Sequence, residues 1–263
     1  MVIACITLQF RESVYICAID AVMNRKEEKS EGANKSDVQL MFDSIAWRYD
    51  FLNRFLSFGI DRYWRRKAIK IISQKCRPAQ VLDVATGTAD LAIAALKINP
   101  VKVTGIDISG KMLEMGRKKI MKLGLEKKIE LINGDSENIP FEDNSFDMVM
   151  VAFGVRNFSN RLAGLKEMTR VLRKDGILMI LEFSKPRGRL FSLLFGFYFF
   201  KILPVIGRIF SGHGVAYRYL PESVDNFPGR DEFMLMMKES GLGNISCLEF
   251  TGGIVSMYTG RKG

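Results

Sequence analysis

The chain has 263 residues, 48% of them hydrophobic and 26% charged, enough to bury one full core and too apolar to stay disordered. Lys and Arg number 39 against 29 Asp and Glu, and the net charge of +10 favours an anionic partner such as nucleic acid, a phosphate-bearing ligand or an acidic lipid surface. The longest charge-free apolar run, Leu190 to Phe200, is far short of the roughly 20 residues of a membrane-crossing helix. Four cysteines (Cys5, Cys17, Cys76, Cys247) without a CxxC pair and one histidine, His213, make no metal cage, so no metal is expected and the thiols read as those of a cytosolic protein.

Residues 1–22 are apolar but lack the basic start, continuous apolar centre and cleavage site of a secretory signal. Met23 opens a polar stretch, so a true start there is expected, with 1–36 an extension and 37–263 the folded domain. From Asp37, Val38, Met41, Phe42, Ile45, Tyr49, Leu52 and Phe55 recur at helical spacing, and Gly59 is placed to end the helix. A second helix with a basic outer face runs to about Cys76, and together the two (37–77) form an expected lid.

The pattern then changes. Gln80 to Val84 is a short strand, Ala85 to Ala89 a small-residue turn and Asp90 to Lys97 a helix. Further strands are expected at Val101 to Ile108, Ile129 to Leu131, Phe146 to Phe153 and Gly176 to Phe183, with helices at 109–123 and 160–173 between them. Strand and helix alternate, which predicts a parallel sheet covered on both faces. The segment 185–220 is a basic, apolar insertion, followed by a helix at Asp231 to Ser240. Ile245 to Phe250 and Ile254 to Tyr258, around Gly252-Gly253, predict an antiparallel hairpin at the sheet edge.

Chemistry is expected where a parallel sheet reverses strand order, at the carboxyl ends of the strands. Asp83, Thr86, Gly87, Thr88 and Ala89 occupy the first turn, and Asp107 falls twenty positions after Gly87, the spacing that suits hydrogen bonds to ribose hydroxyls. The six positions from Gly87 are Gly-Thr-Ala-Asp-Leu-Ala, without the glycines of a dinucleotide turn, and Asp90 would repel a pyrophosphate. S-adenosylmethionine carries no phosphate, and its cationic groups suit nearby carboxylates such as Asp83. Asp135-Ser136, after the third strand, are placed to receive the adenine amino group.

The stretches MFDSIAWRYDFLNRFLSFGIDRYW, VLDVATGTADLAI, FGVRN, VLRKDGILMILEFSKP and YRYLPESV resemble the quinone-biosynthesis C-methyltransferases, the family of demethylmenaquinone and ubiquinone methyltransferases, from about Val38 to the C-terminus. The resemblance implies an α/β, Rossmann-like class I SAM-dependent methyltransferase fold of seven strands in order 3-2-1-4-5-7-6, with strand seven antiparallel. It implies methyl transfer from S-adenosylmethionine to a carbon of a polyprenylated quinol, with cofactor contacts at Thr88, Asp107, Asp135 and Ser136. The family usually has Gly where this chain has Ala89, which is expected to put an extra methyl group at the closest cofactor approach. Demethylmenaquinol is the expected substrate, with the ubiquinone-pathway benzoquinol as the alternative.

A quinol ring carbon becomes a good nucleophile when a ring hydroxyl is ionised, and a free phenol has a pKa of about 10. Donors to that oxygen are required, and Arg156-Asn157, just after strand four, suit the role. His213, Tyr217 and Tyr49 are secondary candidates, with Tyr63 and Tyr219 as further lid aromatics. The run Arg189 to Phe210, Phe-rich and flanked by cations, is expected to lie in the lipid interface or wall a tail channel, placing the protein at the cytoplasmic face of a membrane. No base-stacking motif accompanies the cations, so nucleic acid is not an expected partner, and oligomeric state stays open with a homodimer as one outcome. A NAD-dependent oxidoreductase and a nonenzymatic lipid- or nucleic-acid-binding protein are the rival readings.

Overall fold

Successive side chains of a strand point to opposite faces, and a strand covered by helices on both sides must be apolar on both. A computed structural model, describing residues 35–57, 59–186 and 215–263 with Gly188 and Gly196, shows how this chain uses that rule. Helices α1 (Lys35–Leu56) and α2 (Ile60–Ile72) precede β1 (Gln80–Val84), α3 (Asp90–Ala95), β2 (Lys102–Asp107), α4 (Gly110–Lys122), β3 (Ile129–Asn133) and β4 (Phe146–Ala152). A short 3-10 turn (Val155–Asn157) then leads to α5 (Arg161–Val171), β5 (Leu172–Phe183), α6 (Val215–Asp225), α7 (Arg230–Glu239), β6 (Leu242–Phe250) and β7 (Val255–Lys262).

The seven strands form one sheet in the order β3-β2-β1-β4-β5-β7-β6. Strands β1 to β5 pair in parallel, and β7 runs antiparallel to both β5 and β6. This is the expected class I methyltransferase order, with the C-terminal hairpin at one edge. Val81, Met148, Met150, Met179 and Leu181 pack on one face against Ala68 and Ile72 of α2, Ala95 of α3 and Leu113 of α4. Leu82, Val149, Val151, Leu178 and Ile180 pack on the other against Leu165 and Met168 of α5 and Phe233 and Met237 of α7. The period-two alternation thus divides one run of apolar residues between two cores.

Side-chain caps mark two of the helix starts. Ser109 accepts from the Met112 N–H at 3.1 Å ahead of α4, and Asn160 from the Ala163 N–H at 2.9 Å ahead of α5. Several boundaries differ from the expected ones, those of β3, β5 and β6 for identifiable reasons. β3 runs two residues further because Asn133 continues the register opposite Asp107 and donates to the carbonyls of Asp107 and Ile108. β5 starts at Leu172, where it pairs with Phe146 before a bulge interrupts the register, and Asp175 adopts φ +62°. β6 starts at Leu242, and a register shift between Gly243 and Ser246 hides its alternation. Helix α6 was not expected, since Pro221 inside it reads locally as a breaker.

The extension 1–36 lies outside the described residues except for Lys35 and Ser36, as does most of the insertion 185–220, including the whole of Arg189 to Phe210 apart from Gly196. Among the described residues, no helix is long and apolar enough to cross a membrane. Leu165 is fully buried whereas Leu235 of α7 is 66% exposed. Leu165→Ala is expected to lower the unfolding free energy by about 2–5 kcal/mol in urea denaturation, and Leu235→Ala to change it by less than about 0.5 kcal/mol.

Candidate active site

Strands β2 and β4 flank β1 on opposite sides, so the chain's path reverses there and leaves a crevice at the strands' carboxyl ends. A cleft of about 700 Å³ opens at this point. Asp107, the last residue of β2, lines it and accepts two backbone hydrogen bonds, from the Gly87 N–H at 2.8 Å and the Ser109 N–H at 2.8 Å. Gly87 can aim its N–H there because its φ is +56°, a left-handed conformation that costs glycine nothing. Burial pushes the Asp107 carboxyl up to about 6, against the downward pull of those N–H groups. Gly134, Asp135 and Ser136, after β3, line the same end of the cleft, while Phe42, Phe153, Asn157 and Phe158 line the rest.

A second, smaller cavity of about 330 Å³ shares Tyr49, Ala85, Gly87 and Ala152 with the first. Its floor is Asp83, which accepts from the Thr86 hydroxyl at 2.6 Å and whose carboxyl burial pushes up to about 7. Ala85, Gly87 and Ala89 are all left-handed, at φ +51°, +56° and +66°, and Phe153 of the facing turn is at +60°. Each of the non-glycine cases costs roughly 1–2 kcal/mol, and such strain gathers at binding sites. Ala89 corrects one expectation: its methyl group lies in the hydrophobic core and lines neither cavity. The cost of alanine there is backbone strain, not obstruction.

Helix α1 closes one side. Lys35, Asp43 and Asp50 are spaced about two turns apart and so share a face. Lys35 donates to Asp135 at 2.7 Å and pairs with Glu137 at 3.0 Å, and Asp43 accepts from the Ser109 hydroxyl at 2.5 Å. Asp50 accepts from the Thr88 hydroxyl at 2.5 Å and pairs with Lys119 of α4 at 2.6 Å. Val38, Phe42 and Tyr49 of the same helix line the cleft. Two expected cofactor residues, Thr88 and Asp135, therefore hold lid side chains. Asp90 also pairs with Lys119, at 2.6 Å; burial alone would raise its carboxyl, but the Lys119 charge and hydrogen bond outweigh this and lower it. Its negative charge is thus largely neutralised, and the case against a pyrophosphate falls back on the missing glycines.

Arg156 and Asn157 occupy the 3-10 turn after β4. Asn157 lines the cleft, and its Oδ1 accepts from the Tyr219 hydroxyl at 3.0 Å. Arg156 points elsewhere than expected. It is buried, its Nη1 lies 3.0 Å from Glu182 Oε1 and also donates to the Phe153 carbonyl, and its guanidinium sits 5.5 Å from the Phe183 ring centre. Glu182, fully buried at the end of β5, also accepts from the Arg156 N–H at 3.2 Å. Burial pushes the Tyr219 phenol up, with the charges of Arg156 and Arg161 opposing. His213 and the Tyr217 side chain lie outside the described residues, and Tyr63 is exposed. Arg65, Lys119, Glu182 and the α1 acids were not singled out from the sequence; the Asp61/Arg65 spacing and the Glu inside LEFSKP were the available signals.

The model of the ubiE/COQ5 methyltransferase family matches residues 26–262. The chain belongs to that family. A ubiquinone/menaquinone biosynthesis C-methyltransferase of Geotalea daltonii is 51% identical over 228 residues, covering 86% of this chain and 96% of its own length. A demethylmenaquinone methyltransferase of Bacteroides fragilis is 40% identical, covering 91% of this chain and 100% of its own. Among solved structures, the cyclase SpnF superposes with a TM-score of 0.63 at 14% identity, covering 88% and 97% of the two chains. A SAM-dependent methyltransferase of Aquifex aeolicus gives 0.55 at 21% identity, covering 74% and 88%. These structures establish the fold. Membership of the ubiE/COQ5 family makes the chain a SAM-dependent C-methyltransferase and removes the oxidoreductase alternative.

Asp83 and Asp107 keep their protons to higher pH in the folded enzyme than in the unfolded chain, where Asp titrates near about 3.9. Between that value and the folded ones, about 6 and about 7, the folded state binds more protons. Their contribution to stability is therefore greatest in acid and falls as pH rises. A cationic nucleoside favours the ionised carboxylates, so its binding has the opposite trend. Affinity for S-adenosylmethionine is expected to rise from about pH 5.5 to 7.5, by about three- to tenfold per pH unit where both titrate, and Asp83→Asn to flatten the slope in calorimetry.

Proposed function

We propose that this member of the family methylates a ring carbon of demethylmenaquinol, and that its cleft holds S-adenosylmethionine and the quinol end to end. The observation that carries the reading is that one continuous cleft is lined both by Asp107 and by the aromatic side chains Phe42, Phe153 and Phe158 with Asn157. The printed names of the Bacteroides fragilis relative and of a Staphylococcus aureus relative, 39% identical over 88% of this chain, support demethylmenaquinone; the Geotalea name covers both quinone pathways.

The residues fit the donor. Asp107 presents its carboxylate to a ribose, Asp135 and Ser136 face an adenine amino group, and Thr88 with Asp83 borders the amino-acid end. When bound, the donor supplies an electrophilic methyl group on a positive sulfur. Asp83, whose carboxyl titrates near about 7, stabilises that positive charge in its ionised form and orients the group. Asn157 is fixed by the Tyr219 hydroxyl at Oδ1 and by a 3.5 Å hydrogen bond from Nδ2 to the Phe153 carbonyl, and the second N–H of that amide is the donor for a quinol oxygen, which favours the phenolate that makes the ring carbon nucleophilic. Arg156 acts at one remove: anchored on Glu182 and the Phe153 carbonyl, it holds the turn that carries Asn157 and adds positive charge behind it. The aromatic walls exclude water and align ring, methyl group and sulfur.

The substrate's tail argues for the membrane surface, and the basic, apolar run 189–210 supplies cations and apolar side chains for contact at its cytoplasmic face. Cosedimentation with anionic vesicles and its loss in high salt are the expected outcomes.

Methyl-labelled S-adenosylmethionine with short-tailed demethylmenaquinol is expected to place the label on ring carbon, faster than with the matching benzoquinol. Label on oxygen, or none with either quinol, would refute the reading. Asn157→Leu is expected to lower kcat about a hundredfold or more with little change in the donor's affinity.

A further inference from the structure

Arginine is almost never buried without a partner, because a guanidinium removed from water is costly. Arg65 of α2 is buried all the same, and it lines the smaller cavity together with Asp83 and Asp90. Its place is built by the segment around SFGI. Gly59, at φ +75°, turns the chain into α2, so that the Ser57 hydroxyl donates to Asp61 Oδ1 at 2.8 Å. Asp61 Oδ2 then accepts from Arg65 Nη1 at 2.5 Å, one helical turn on. The guanidinium carbon lies 5.3 Å from the Phe153 ring centre. Ser57, Asp61 and Phe153 thus set the position of the fork, while Nε and Nη2 make no hydrogen bond to a described residue.

We propose that Arg65 is the carboxylate anchor of this cavity, which takes the zwitterionic α-amino-acid end of the cofactor, with the carboxylate on the guanidinium and the ammonium toward Asp83. This deepens the methyltransferase reading and rests on it. The cavity's lining carries both signs of charge, as such a ligand does: the Arg65 cation with open donors, and the acids Asp83 and Asp90. The Arg65 charge reaches both acids: it opposes the burial that raises the Asp83 carboxyl and adds to the Lys119 charge that lowers that of Asp90. Asp90 is already paired with Lys119, so Asp83 is the acid that meets the ligand: a phosphate would be repelled by it once ionised, whereas a zwitterion sets its ammonium on Asp83 and its carboxylate on Arg65. A planar fork with one arm held suits a carboxylate, which it can engage through two parallel donors. The two cavities meet at Tyr49, Ala85, Gly87 and Ala152, so a ligand with its sugar at Asp107 enters the smaller one with its other end. Helix α2, which packs on the sheet through Ala68 and Ile72, thereby supplies a ligand contact as well as covering the strands.

Calorimetry with S-adenosylhomocysteine and its decarboxylated analogue, which keeps the amine and lacks only the carboxylate, tests this. The wild-type enzyme is expected to prefer S-adenosylhomocysteine by at least about tenfold. Arg65→Gln is expected to weaken S-adenosylhomocysteine about tenfold to a hundredfold and to leave the analogue within about twofold, which also reports an intact cleft. Arg65→Lys is expected to restore part of the preference. Equal affinity of the wild-type enzyme for both ligands, or an equal loss of both in Arg65→Gln, would overturn the assignment while leaving the methyltransferase reading in place. A wild-type enzyme that binds neither would overturn both.

Discussion

Asp107 is tied to the chain on either side of it: its two oxygens take the N–H of Gly87 in the turn after β1 and of Ser109 in the turn after β2. One carboxylate thereby fixes the relative position of the two loops that form the crevice. The interaction requires a left-handed residue at position 87, and the neighbouring residues Ala85 and Ala89 take the same conformation with a Cβ in the way. The sheet makes this strain bearable. β1 lies between β2 and β4 with its side chains packed on both faces, so the turn springs from a strand that cannot shift to relieve it.

Everything above the crevice is polar and adjustable by comparison. Helix α1 meets it through Lys35, Asp43 and Asp50, which contact Asp135 and Thr88, two residues of the proposed cofactor site, and Ser109, whose N–H donates to Asp107. Partly exposed ion pairs are worth only about 0.2–1 kcal/mol each, so the cover is held firmly enough to shape the cleft and weakly enough to exchange its partners for a ligand's. Tyr49 of α1 and Arg65 of α2 both line the smaller cavity, so the two N-terminal helices shape it together. Chemistry and shelter come from different layers of the molecule: carboxylates from the sheet, aromatic and cationic walls from the helices laid over it.

Much of this was legible beforehand where a local rule applied. Asp107 was found because an acid twenty residues past a small-residue turn has one common use in this architecture, and the parallel sheet because strand and helix alternate until the final hairpin, whereas the strand order followed from the family resemblance alone. Helix α6 was missed because Pro221 is a reliable breaker in isolation and is outvoted by packing here. Ala89 was placed at the ligand because its neighbours belong there, but direction of a Cβ in a left-handed turn cannot be read from spacing. Arg156 was read as a donor to substrate since nothing near it in sequence showed Glu182, 26 residues away across a strand pair, waiting to accept it.

The amino-acid sequence by itself determined the class of fold, the two faces of each strand and the acidic residues that close β1 and β2, since hydrophobic period, turn chemistry and residue type are all local properties. Only the tertiary structure decided which charges are spent on one another and which face the cleft. Arg156 with Glu182 and Lys119 with Asp50 and Asp90 are pairings of residues far apart in the chain, and the burial that makes Asp83 and Asp107 hold their protons comes from helices that neither residue belongs to. An electrostatic site depends on distance and on exclusion of water, and both are set by the packing of distant segments.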